Sequence, residues 1–66
     1  MKINRKKLEL AMARACKRRK DMLYDSDLCE RTLERAFLGY NIRPDNVGKI
    51  AKALDCDVMD IVENEV

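Results

Sequence analysis

Sixty-six residues with no histidine, no tryptophan and three cysteines suffice for one small domain. A chain this short buries only about 60% of its unfolded surface and leaves no room for a second domain with its own ligand pocket. The missing histidine removes the commonest general base and the commonest metal ligand, and the widely spaced Cys16, Cys29 and Cys56 form no C-x-x-C pair and cannot complete a four-ligand zinc site.

No nucleophile–base pair and no glycine-rich phosphate loop stands in the sequence, so neither an enzyme nor a cofactor is expected. An odd cysteine count, no export signal and no apolar run of bilayer length lead to the expectation of a cytoplasmic protein with free thiols and no membrane contact. Net charge is +2, but its distribution is lopsided. Residues 2–20 hold nine Lys/Arg against one acid, Glu9, and residues 21–66 hold five bases against eleven acids. Such a gradient suits a basic surface facing a polyanion, or else a solvated charged helix face.

In chain order, Asn4 is a good N-cap for a first helix over residues 5–16, with Leu8, Ala11, Met12 and Ala15 along one face. Ile3, just ahead of the cap, can staple onto Leu8. After a break near Lys17 and Arg18, a second helix is predicted over residues 19–25, with Met22, Leu23 and Ser26 inward. Asp27 suits the left-handed conformation of a tight turn between helices, and Leu28 would plug that turn into the core. The third helix is predicted over residues 30–38, with Leu33, Ala36 and Phe37 inward and Gly39 closing it. Pro44 suits the first turn of a fourth helix, whose buried stripe is Val47, Ile50, Ala51 and Leu54. Asp55 and Cys56 make a turn, and Asp57 with Asp60 caps a last helix bearing Val58, Ile61 and Val62.

No segment alternates with period two for long enough to predict a strand, and nearly all of the chain carries a helical period. The predicted fold is therefore all-α: a compact bundle of five short helices over residues 1–66. Its second and third helices, residues 19–38, meet across a three-residue turn in the layout of a helix-turn-helix.

With that layout, the segment from Arg19 to Phe37, then Gly39, then Arg43-Pro44, then KIAKALDCDVMDIVE (residues 49–63) resembles the lambda-repressor-like Cro/CI (XRE) family of bacterial and phage DNA-binding domains. The likeness covers nearly the whole chain and looks closest to short stand-alone bacterial regulators. Asp27 stands where that family usually has glycine, Leu23 where it has a small residue, and Cys29 where it has a Ser or Thr cap.

The resemblance implies a third helix lying in the DNA major groove, with its first turn and a half touching base edges. That role falls on Glu30, Arg31, Thr32 and Arg35. Arginine bonds guanine bidentately, glutamate accepts from cytosine, and threonine meets a thymine methyl or a phosphate. Glu30 and Glu34 have the alternative of pairing with Arg35 or Arg31 on the helix surface, and Glu34 fits that alternative better. Phosphate contacts are implied for Arg18, Arg19 and Lys20 at the start of the second helix and for Asn41 and Arg43 ahead of the fourth. Lys17 is expected to add long-range attraction.

The implied function is a sequence-specific regulator of transcription, in the manner of a repressor, acting as a homodimer on double-stranded DNA without a small-molecule ligand. Met59, with Val58, Val62 and Val66, makes either a dimer patch or a cover for the chain's own core. The alternative function is a protein-binding module of the same fold, an antitoxin or an antirepressor-type partner, using the acidic second half.

Overall fold

The computed structural model describes residues 1–63. It is all-α: α1 (Arg5–Ala15), α2 (Arg19–Asp25), α3 (Glu30–Phe37) and α4 (Pro44–Ala53), followed by a single 3-10 turn (Val58–Asp60). The fifth predicted helix is thus only this turn. Asp57 and Asp60 do cap it as a box, Asp60 Oδ2 accepting from the Asp57 N–H at 3.2 Å. Ile61, which closes the turn, and Val62, which pairs with Ile3, both expected on that helix, instead enter the core at and just past its end. Val66, the outer member of the expected Met59 patch, lies outside the described residues, and Val62 is 5% exposed and so cannot belong to a surface patch.

Short-range chemistry sets the helix ends. Asn4 Oδ1 accepts from the Lys7 N–H at 3.0 Å and caps α1. Asp21 reaches back to the Arg18 N–H at 2.8 Å at the start of α2. Pro44 occupies the first turn of α4.

Three helices end in the same left-handed cap, in which two N–H groups past the end satisfy carbonyls of the last turn. Gly39, at φ +81°, closes α3, with its N–H on the Ala36 carbonyl at 3.2 Å and the Tyr40 N–H on the Arg35 carbonyl at 3.0 Å. Cys16 (φ 55°) does the same for α1 and Asp55 (φ 53°) for α4. Asp27 (φ 57°) makes the turn between α2 and α3, as expected of a residue that tolerates this region. Cysteine has no such tolerance. Cys16→Gly is therefore expected to stabilise the fold by about 1 kcal/mol, seen as a higher urea midpoint at unchanged slope.

The core consists of Ile3, Leu8, Ala11, Met22, Leu33, Ala36, Ile42, Val47, Ile50, Ala51, Leu54, Ile61 and Val62. Met12, Leu23, Leu28 and Phe37 pack half-buried against it. α2 packs on both α3 and α4, while α1 and α4 pack on the 3-10 turn. The radius of gyration of 10.3 Å is close to the roughly 10.8 Å of a compact chain of this length.

A feature absent from the helical reading ties the ends together. The first three residues run between the loop after α3 and the segment after the 3-10 turn. Lys2 bridges antiparallel to Asn41 and Ile3 to Val62. The Ile42 N–H bonds the Met1 carbonyl at 2.8 Å, the Asn4 N–H the Ile61 carbonyl at 2.8 Å, and the Glu63 N–H the Lys2 carbonyl at 3.0 Å. Ile3 is consequently among the most buried residues, well beyond its expected role as a staple on Leu8. No helix among the described residues is long and apolar enough to cross a membrane.

Candidate nucleic-acid interface

α3 owes its outward face to its inward one. Leu33 and Ala36 are buried and Phe37 half-buried, and at about 100° per residue the direction opposite their mean falls on Arg31 and Arg35. These two arginines form the outermost ridge of the helix, both exposed. Thr32 flanks the ridge on one side, and Glu30 and Glu34 flank it on the other.

The surface relief follows the same division. Arg31, Thr32 and Arg35 line a recess of about 240 Å³ together with Asn41, Ile42, Arg43 and Asn46. Across the ridge, Glu30, Leu33 and Glu34 line a groove of about 390 Å³ with Arg19, Lys20 and Leu23 of α2. Nine residues proposed from sequence thus fall into three sets. Arg31, Thr32, Arg35, Asn41 and Arg43 come together on one side, Arg19, Lys20 and Glu30 on the other, and Arg18 lines neither of these two hollows.

The charges of α3 act in both directions, since Glu30 in the first turn and Arg35 in the last favour the helix dipole. Arg31 and Arg35 stand at i and i+4, as do Glu30 and Glu34, and like charges at this spacing cost a few tenths of a kcal/mol. Among the described residues no ion pair within 4.0 Å joins either glutamate to either arginine. The surface salt bridge expected as an alternative use of Glu34 and Glu30 is therefore absent there.

The Arg35 guanidinium instead lies 5.8 Å from the Tyr40 ring centroid, and that of Arg19 lies 4.6 Å from the Phe37 ring centroid. Arg43 pairs with Asp45 at 3.3 Å, and Arg18 with Asp21 at 4.0 Å. Both pairs are exposed, where such contacts contribute about 0–1 kcal/mol and yield readily to a competing anion. Asn41 Oδ1 accepts from the Met1 ammonium at 2.7 Å, leaving its amide N–H₂ as the group able to donate.

Lys17 is a correction. Its ammonium is not a free positive charge but pairs with Asp25 at 2.9 Å and donates to the Ala53 carbonyl at the end of α4. It neutralises an acid at the end of α2 and satisfies a terminal carbonyl of α4 at once, both favourable at helix C-termini. Asn46, which lines the recess, and Tyr40, which lies beside Arg35, are not among the residues proposed from sequence. Asn46, in the first turn of α4, was legible as a polar residue beside the buried Val47. Tyr40 gave no periodic signal.

Cys29, the N-cap of α3, makes no side-chain bond to the backbone ahead of it, and its Sγ meets the Thr32 hydroxyl at 3.1 Å. Hydrogen bonding from the Thr32 hydroxyl holds the Cys29 thiol below the ordinary thiol range. Cys56 moves the other way, pushed up by burial and by the carboxylates of Asp60 and Asp57. Because the thiolate is the nucleophile, iodoacetamide at neutral pH is expected to alkylate Cys29 well before Cys56, read by peptide mass spectrometry. The rate–pH midpoint of Cys29 should rise in Thr32→Ala.

Among the described residues no group of three or more Cys, Asp and Glu could hold a metal ion. Comparison of the chain with protein-family models, with curated proteins and with solved structures gives no match.

Proposed function

We propose that the chain is a lambda-repressor-like helix-turn-helix protein that binds double-stranded DNA sequence-specifically and regulates transcription, in the manner of a repressor, in the cytoplasm. In this reading α2 and α3 are the helix-turn-helix and α3 enters the major groove. The observation that carries it is the ridge of Arg31 and Arg35. The two like-charged residues stand outermost on a short helix, unpaired by either neighbouring glutamate, and share a recess with Asn41 and Arg43. An arrangement that sets two arginines at i and i+4 and gathers guanidinium groups on one face suits a polyanion whose bases are read at the centre and whose phosphates are gripped at the edge.

Arg31 and Arg35, with Glu30 and Thr32, contact base edges. Arg43 and Asn41 grip one phosphate strand, and Arg18, Arg19 and Lys20 the other. Fluorescence anisotropy with mixed-sequence duplex at 50 and 200 mM salt tests this directly. With about four cationic phosphate contacts, affinity should fall by a factor on the order of 10² across that range. A salt-independent affinity, or none at 50 mM, would sink the reading in favour of a protein partner for the acidic second half.

One domain of this size covers too little DNA for tight binding alone, so the reading includes a homodimer on paired half-sites. We infer that its contact is a second copy of the chain seated on Leu10 and Met59. These are 57% and 64% exposed, and they share a recess of about 230 Å³ with Lys7, Arg14 and Asp60. In a two-fold contact the same patch meets itself, and a patch with an apolar centre carrying Arg14 and Asp60 places opposite charges across the axis. Leu10→Glu should then be monomeric in sedimentation at concentrations where the wild type is dimeric. Equal masses for the two proteins would exclude this patch.

A further inference from the structure

We propose that Tyr40 is a positioning residue for Arg35, so that the two act as one base-reading unit; this rests on the DNA-binding reading and deepens it. The cap that ends α3 brings them together. In a left-handed helix cap the residue three past the last helical one folds back over the residue in the final turn whose carbonyl it bonds, and an apolar contact usually joins the two. Here those positions are Tyr40 and Arg35. The Tyr40 N–H bonds the Arg35 carbonyl at 3.0 Å, Gly39 at φ +81° makes the reversal, and the Arg35 guanidinium lies 5.8 Å from the Tyr40 ring centroid. The backbone of the cap thus sets where the ring lies, and the ring sets where the guanidinium lies.

The approach has a chemical consequence. A cation drawn to a ring face by the ring's quadrupole forms no hydrogen bond with it, and the five N–H donors lie in the guanidinium plane. The contact therefore occupies no donor and restricts the rotamer freedom that Arg35 would otherwise lose on meeting a guanine. An ion pair with Glu34 would consume those donors, and none forms. Tyr40 is 53% exposed, so its ring is open to the same side as the exposed Arg35.

The test uses the full chain with Tyr40→Leu, which keeps an apolar residue for the cap, and Tyr40→Phe, which keeps the ring. Each protein is taken through selection from a random duplex pool, and its affinity for the wild-type consensus duplex is measured. Tyr40→Phe should match the wild type. Tyr40→Leu should bind about two- to fivefold more weakly, the scale of an exposed cation–π contact. It should also relax the consensus at the same base pair that Arg35→Ala relaxes, and lose nothing more when combined with Arg35→Ala. In proton NMR without DNA, the Arg35 δ-methylene signals should be shifted upfield by the ring in the wild type and Tyr40→Phe, but not in Tyr40→Leu.

Wild-type enrichment with an unchanged Tyr40→Leu consensus overturns this proposal alone. So does a Tyr40→Leu loss that persists in the Arg35→Ala background. A folded wild type that enriches no sequence overturns the DNA-binding reading and this proposal with it.

Discussion

Arg31→Ala and Arg35→Ala are each expected to weaken binding to the preferred duplex by about 1–3 kcal/mol, or roughly five- to 150-fold, while leaving the fold intact. The separation of the two effects is the informative part. Both side chains are exposed and neither pairs with Glu30 or Glu34, so truncation removes no internal contact with an acid. It relieves an i, i+4 repulsion of a few tenths of a kcal/mol, but Arg35→Ala also loses the Tyr40 contact and the cation in the last turn of α3, so urea stability should stay level in Arg31→Ala and fall by about 1 kcal/mol in Arg35→Ala. Glu34→Ala, across the ridge, serves as the control and should change base preference little. Titration by anisotropy alongside urea unfolding reads both quantities. Loss of affinity in proportion to loss of stability would show that the arginines hold the fold rather than the DNA.

The second large effect concerns stability. Ile3→Ala should cost about 2–5 kcal/mol, as truncation of a fully buried isoleucine does. A chain of this length has only roughly 3–10 kcal/mol to lose. Ile3 is 1% exposed, faces Val62 across the chain, and sits in a segment whose backbone bonds reach both the loop before α4 and the segment after the 3-10 turn. Its truncation should lower the thermal midpoint by roughly 10–30 °C. Because Asn41 and Ile42 lean on the same segment, the recess beside α3 should loosen before the helices do. Tyr24→Ala, at a side chain 83% exposed, should stay within about 0.5 kcal/mol of wild type. An Ile3→Ala protein that unfolds with the wild type would mean the N-terminal segment is not part of the core.

What could be read from the residues follows the range of the forces involved. α2 has the predicted bounds, and Asn4, Asp27, Gly39 and Pro44 stand where predicted, because caps and turns depend on one to four neighbouring residues. The stripe of Val47, Ile50, Ala51 and Leu54 is buried as its helical spacing required. Ile42, by contrast, lies in a loop with no period to betray it, and its burial comes from the chain's first residues some forty positions away. The last helix is only a 3-10 turn, and Val62 pairs with Ile3, a partner some sixty positions away that helical spacing does not reveal. Lys17 read as a free charge because its partners, Asp25 and Ala53, belong to the ends of two other helices. In the candidate site, the ridge of Arg31 and Arg35 follows from helical spacing alone. The joining of that ridge to Asn41 and Arg43 depends on the turn at Gly39, and the Arg35–Tyr40 contact depends on its cap geometry.

The central claim is that α3 reads DNA sequence, and selection of bound duplexes from a random pool by the wild-type chain tests it most directly. The expected result is a two-fold symmetric consensus, with half-sites whose centres lie about one helical turn, roughly 10 base pairs, apart. A protein that is folded by circular dichroism yet enriches no sequence at low salt would contradict it.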